Sequence, residues 1–187
     1  MHYHCEVWIP TNENVETLVE KAMAPYYEEE NENGFWDWYA IGGRWKGAHV
    51  PGYEQKKDPD HQRPCTFCAG TGLRKDMGHW ENQKKVFNDE WAEKMDGCNV
   101  CHGTGVEVTW PTQWKPHAKD VIPVSEIPKD FSPATLILPS GVLKSEEYIP
   151  DAPTLEEKFK PTPFSVEGVL RSKDITTGYL VTVDYHS

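Results

Sequence analysis

His2-Tyr3-His4-Cys5-Glu6-Val7-Trp8-Ile9 alternates: Tyr3, Cys5, Val7 and Ile9 fall on one side, and His2, His4, Glu6 and Trp8 on the other. Period-two alternation of this kind is the pattern of a β-strand with one buried face. Pro10 ends it. Far along the chain, Gly178-Tyr179-Leu180-Val181-Thr182-Val183-Asp184-Tyr185-His186 alternates over a similar length. The first and last strands are expected to be neighbours, which turns the cysteine-rich middle of the chain into an insertion within one domain.

Working outward, Thr11 or Asn12 is expected to cap a helix. Val15, Leu18, Val19, Ala22 and Met23 then recur at helical spacing, and Pro25 stops the run. Ala134-Thr135-Leu136-Ile137-Leu138, a Pro139-Ser140-Gly141 turn and Val142-Leu143 predict a strand that continues as a hairpin, and strand character returns at 105–110. The expected fold is α+β: a small, mostly antiparallel sheet with one packed N-terminal helix, built from residues 1–58 and 106–187. A four-cysteine zinc-knuckle module is inserted at 59–105.

That module is the most specific signal. Cys65-Thr66-Phe67-Cys68-Ala69-Gly70-Thr71-Gly72 and Cys98-Asn99-Val100-Cys101-His102-Gly103-Thr104-Gly105 write CxxCxGTG twice. A CxxC turn aims two thiolates at one ion, and two such turns complete a tetrahedron. The trailing glycines allow positive φ, so that peptide N–H groups can turn toward sulfur. Redox CxxC pairs are the competing reading, but a thioredoxin-type site uses one such pair at a strand–helix junction, not two matched copies. Four thiolates leave no open coordination position, so one structural Zn2+ held by Cys65, Cys68, Cys98 and Cys101 is expected. His102 is expected beside the site or on the surface. Between the knuckles, Trp80, Lys84, Phe87, Trp91 and Met95 recur three or four apart and Gly97 follows, which predicts a helix with a glycine C-cap.

The doubled motif resembles the cysteine-rich domain of DnaJ-type chaperones over residues 65–72 and 98–105. That family usually carries four repeats and two zinc ions; two repeats imply one site. The J-domain tripeptide His-Pro-Asp is absent, so only the zinc-ligand role carries over to the four cysteines. The block Val7-Trp8-Ile9-Pro10, the block from Trp36 to Trp45 and the stretch from Trp110 to Trp114 resemble uncharacterised proteins of bacteriophages that infect actinobacteria. This second resemblance implies a phage accessory protein acting in the host bacterial cytoplasm.

The chain of 187 residues carries a net charge of −11, which disfavours generic nucleic-acid binding. Lys56, Lys57, Arg63, Arg74, Lys75, Lys84 and Lys85 gather near the knuckles and keep that class open. No segment reaches the length of a membrane span and no secretory signal opens the chain, so a cytoplasmic protein without membrane contact is expected. The first serine is Ser125, which excludes a serine nucleophile in the N-terminal half; P-loop, GxSxG, HExxH and GxGxxG signatures are also absent.

Two further groups are candidates for binding. Phe35-Trp36-Asp37-Trp38-Tyr39-Ala40-Ile41-Gly42-Gly43-Arg44-Trp45 predicts a hairpin turning at Gly42-Gly43, with Trp38–Ile41 paired to 44–47. On the functional reading, the glycine amides and Arg44 face an anion while Trp36, Trp38 or Trp45 stacks on a base or sugar. On the structural reading, Trp36, Trp38 and Ala40 face one side, Tyr39 and Ile41 the other, and both sides are covered; the area each ring must bury favours this reading. His2, His4 and His186, with Glu6 and Asp184, share a face of the two terminal strands. HxH on a strand is a metal-ligand spacing, yet the same residues suit the wet face of an antiparallel sheet. A non-enzymatic zinc-stabilised protein that engages a host protein or peptide is therefore expected. The alternatives are a small-molecule protein or enzyme for an anionic nucleotide, and nucleic-acid binding through the zinc module.

Overall fold

The computed structural model describes residues 1–29, 31–32, 34–73, 78–81, 84–87, 97–109, 114–115, 120–148, 154 and 158–187. In chain order the elements are β1 (His2–Ile9), α1 (Val15–Met23), β2 (Trp38–Ile41), β3 (Gln62–Pro64), β4 (Gly78–Glu81), β5 (Lys84–Phe87), β6 (Val106–Val108) and β7 (Val121–Pro123). Then follow β8 (Thr135–Leu138), β9 (Gly141–Lys144), β10 (Glu146–Tyr148), β11 (Phe159–Pro161), α2 (Val166–Ser172) and β12 (Tyr179–His186). Two compact units result: Met1–Tyr53 with Gln113–Ser187, and Glu54–Thr112.

The first unit is α+β. Its six-stranded mixed sheet runs β2-β12-β1-β8-β9, with β7 also paired to β12. The terminal strands pair antiparallel along their whole length, from His2 opposite His186 to Ile9 opposite Tyr179. β1 and β8 run parallel, and β8–β9 is the expected hairpin. The apolar face of β1 works as its alternation requires. Cys5, Val7 and Ile9 join Val183, Tyr185 and the α1 residues Val15, Val19 and Met23 in one buried cluster. Burying side chains of this size stabilises by roughly 1.5–3 kcal/mol each. Cys5 lies fully inside, and burial pushes its thiol well above the ordinary range.

The opposite face of the sheet divides in two. At one end Ile122, Leu136, Leu138 and Leu180 are buried under Val166 and Leu170 of α2, a helix capped by the Ser165 hydroxyl. At the other end the face is polar but not wet: His4, Glu6, Thr182 and Asp184 are all buried. The second unit contains two-stranded pairs, β3–β6 and β4–β5.

Four local expectations are corrected. The Gly42-Gly43 turn does not close a hairpin. β2 pairs with β12, Gly42 N–H donates to Thr182 O, and the chain continues into a 3-10 turn at Gly43–Trp45. Both glycines do take positive φ, 74° and 50°. The positions also exclude a side chain, because a Cβ at Gly42 would lie 2.8 Å from the Asp120 carboxylate and one at Gly43 2.4 Å from Asp184 Cβ. Secondly, Trp36 and Trp38 do not share a side. Trp36 precedes β2, packs against the α1 core with Tyr39 and Ile41, and donates its indole N–H to Met23 O; Trp38 is 49% exposed. Thirdly, residues 78–81 and 84–87 form an antiparallel pair rather than a helix, because short aromatic and β-branched runs satisfy either period; Trp91 and Met95 lie outside the described residues. Lastly, the α1 cap is Asn14, in the left-handed region, while the Thr11 hydroxyl accepts from Glu13 N–H in the preceding turn.

Candidate metal centre

The two CxxCxGTG segments are bound to each other by a reciprocal exchange of backbone hydrogen bonds. Cys65 N–H donates to Gly105 O (2.8 Å), and Cys98 N–H donates to Gly72 O (2.7 Å). Within each copy, the threonine of GTG donates its hydroxyl to the carbonyl of the second cysteine at 2.6 Å, Thr71 to Cys68 and Thr104 to Cys101. The last glycine of each copy donates N–H to the second sulfur, Gly72 to Cys68 Sγ (3.2 Å) and Gly105 to Cys101 Sγ (3.3 Å). The two copies therefore make the same hydrogen bonds, residue for residue.

The glycines are fixed by sterics as well as by φ. A Cβ on Gly72 would lie 2.3 Å from Gly103 O, and one on Gly105 would lie 2.3 Å from Gly70 O. Gly72→Ala or Gly105→Ala is expected to lower apparent metal affinity by roughly ten- to a hundredfold, equivalent to about 1–3 kcal/mol of local strain. Competition with a chromophoric chelator reads this directly. Ala69→Gly, which relieves a side chain held at φ 50°, should not lower the affinity.

The four sulfurs converge. All lie within 4.8 Å of one another, and Cys65–Cys98 and Cys68–Cys101 are each 3.8 Å apart. A tetrahedron of thiolates at about 2.3 Å from one ion requires sulfur separations of about 3.8 Å. The four cysteines are buried. The donor set therefore fits a single metal ion with no vacant position. Beneath it, β3 and β6 bring Arg63 to Glu107, whose carboxyl is held below the ordinary range by the guanidinium; the Thr66 hydroxyl donates to the same carboxylate. His102 is exposed, at φ 51°.

No protein-family model, curated protein or solved structure matches the chain.

The other candidate residues gather on the polar half of the sheet in the first unit. Glu6 is fully buried, and its Oε1 accepts from His4 Nε2 (2.8 Å), His49 Nε2 (2.9 Å) and the Thr182 hydroxyl (3.0 Å). Burial raises the Glu6 carboxyl, but the two imidazole hydrogen bonds and the imidazole charges outweigh it, so the group titrates below its ordinary range. Trp45 stacks flat on His4, ring centres 5.0 Å apart, and Phe131 packs edge-on against His4 and His49. Asp184, also buried, accepts from His2 Nδ1 (2.9 Å) and from the Arg44 backbone N–H (3.1 Å). His186 Nδ1 meets Asp37, and Trp38 stands beside His2. Asp120 accepts from the Trp114 indole N–H.

His49, Thr182 and Asp120 were not singled out in the sequence. His49 lies in a turn-rich stretch without periodicity, and its role depends on the chain passing over β1. The available clue was Gly42-Gly43 itself, two glycines whose backbone must approach something closely.

Proposed function

We propose that the chain is a zinc-stabilised, non-enzymatic binding protein whose four-cysteine module presents apolar side chains to an extended segment of a partner protein. The observation that carries this reading is the exposure of apolar residues on the metal-tethered backbone. Phe67 is 56% exposed, Leu73 41%, Val100 37%, Val106 41% and Val108 47%. Phe67 and Val100 hold the same position in the two CxxC turns, and Leu73 and Val106 each follow a GTG, so the two knuckles offer matched apolar contacts. Exposed apolar side chains on a rigid frame lose little conformational freedom on binding. Zinc is the proposed ion because four thiolates with no open position suit a structural zinc site. The resemblance to actinobacteriophage proteins supports a host protein as the partner and the bacterial cytoplasm as the location. No helix among the described residues is long and apolar enough to cross a membrane.

Two observations weigh against the alternatives. On the nucleotide reading the glycine amides and the Arg44 side chain face an external anion, but Gly42 N–H donates to Thr182 O, the next turn aims the Arg44 backbone N–H at Asp184, and Glu6, Asp37 and Asp120 add further negative charge to that unit. For nucleic acid, residues 54–112 carry 8 Lys and Arg against 10 Asp and Glu, so the module is not basic as a whole.

Selection of displayed random peptides on the immobilised zinc-loaded protein tests the reading. Apolar sequences should enrich, and their affinity should fall about tenfold or more in Phe67→Ser/Val100→Ser, as loss of an apolar anchor predicts, with one zinc still bound per chain. Absence of enrichment, or equal binding to the double variant, would refute it.

A further inference from the structure

We propose that His2 and His186 form a second metal site, at the surface of the first unit, for a divalent first-row transition ion such as Zn2+ or Co2+. The two residues face each other across the β1–β12 pair. Each ring is held from behind by a carboxylate: His2 Nδ1 lies 2.9 Å from Asp184 Oδ1, and His186 Nδ1 lies 2.9 Å from Asp37 Oδ1 and 3.1 Å from its Oδ2. A carboxylate only accepts, so each Nδ1 carries the proton and each neutral ring keeps its lone pair on Nε2. A carboxylate behind a histidine fixes tautomer and orientation and raises basicity, the arrangement that supports metal-ligating imidazoles. Among the described residues neither Nε2 meets a hydrogen-bond partner.

The spacing fits. An ion about 2.0–2.1 Å from two imidazole nitrogens lies about 3.2 Å from each ring centre, and a tetrahedral angle then separates the rings by about 5.2 Å. The ring centres of His2 and His186 are 5.4 Å apart. Both side chains reach solvent, 26% and 41% exposed, so an ion can enter and water can fill the remaining positions. The backing carboxylates also make the local potential favourable to a cation and unfavourable to an anion.

Asp184 is the better anchored of the two backing groups. It is 2% exposed and takes a second hydrogen bond from Arg44 N–H, so it cannot turn away from His2. The turn at Gly42-Gly43, which brings the Arg44 amide over Asp184, thus acquires a purpose in holding a ligand-orienting carboxylate. With only two protein ligands the site is weaker than the four-cysteine centre and exchanges its ion under mild chelation.

The test is a calorimetric titration of Zn2+ into the tag-free, full-length protein already loaded at its cysteines, with imidazole 15N shifts followed by NMR. One further equivalent should bind, shifting Nε2 of His2 and His186. His2→Ala and His186→Ala should each abolish that equivalent and leave the tight zinc in place. Asp37→Asn should weaken it by roughly tenfold or more, the range for loss of a carboxylate behind a ligand. A chelate made by His2 with the main-chain amine would survive His186→Ala; that result, or no second equivalent, would overturn the proposal.

Discussion

Removing the metal with a strong chelator should unfold residues 54–112 while the first unit keeps its cooperative melt. Among the described residues, the buried cluster of the module consists of the four cysteines alone. Its sheets have two strands each, and isolated two-stranded pairs are marginal in water. The backbone is also held in unfavourable conformations, with Ala69 and His102 at positive φ. Against this stands an apparent zinc-binding free energy of about 10–16 kcal/mol in comparable small modules. An ion held by the four cysteines would therefore provide most of the module's stability. Chelation should release rapid proteolysis within 54–112 and collapse its amide protection, and zinc should restore both. The first unit has its own clusters on both faces of a six-stranded sheet, so its melting temperature should move little. An apo protein with the same protease resistance in 54–112 would defeat the argument. Metal analysis distinguishes zinc from iron, since four thiolates around ferric iron absorb visible light and around zinc do not.

What the sequence made legible follows from the range of the interactions involved. β1, α1 and β12 could be read because one side of each packs into the same apolar cluster, which leaves a clean period in the residues. The four cysteines could be read because one ion imposes a local spacing that chance seldom reproduces. Gly42-Gly43 was read as two positive-φ residues, and that is what the backbone needs. The hairpin inferred from them failed because the same conformation serves a close approach to Asp120 and Asp184, residues distant in sequence. The buried state of Glu6 was hidden for a similar reason. A histidine and a glutamate two apart on a strand look the same whether water or His49 covers them. The segment between the knuckles misled because Trp80, Lys84 and Phe87 fit a helical period as well as two short strands.

Glu6→Ala should be the most damaging single substitution in the first unit. The wild-type carboxylate lies entirely out of water, and three donors converge on one of its oxygens. Truncation removes the oxygen on which these three groups converge and leaves two imidazoles and a hydroxyl facing a cavity. Breaking a buried charged network in this way costs about 3–5 kcal/mol. For a unit of this size that is a drop of roughly 10–20 °C in melting temperature, measurable on the metal-loaded protein. The partners predict non-additivity. Once Glu6 is leucine, replacing His49 by leucine should cost much less than it does in the wild type, because the imidazole has already lost its acceptor. The acid limb gives an independent reading with a definite sign. Glu6 titrates below its ordinary value of about 4.3, so its contribution is fully present above that pH and fades as pH falls through the lowered native value. Wild-type stability should thus decline on acidification below about pH 4–5 more steeply than that of Glu6→Gln, which cannot titrate. Equal acid limbs, together with an unchanged melt for Glu6→Ala, would mean that the three hydrogen bonds contribute nothing net and that the apolar clusters alone hold the sheet.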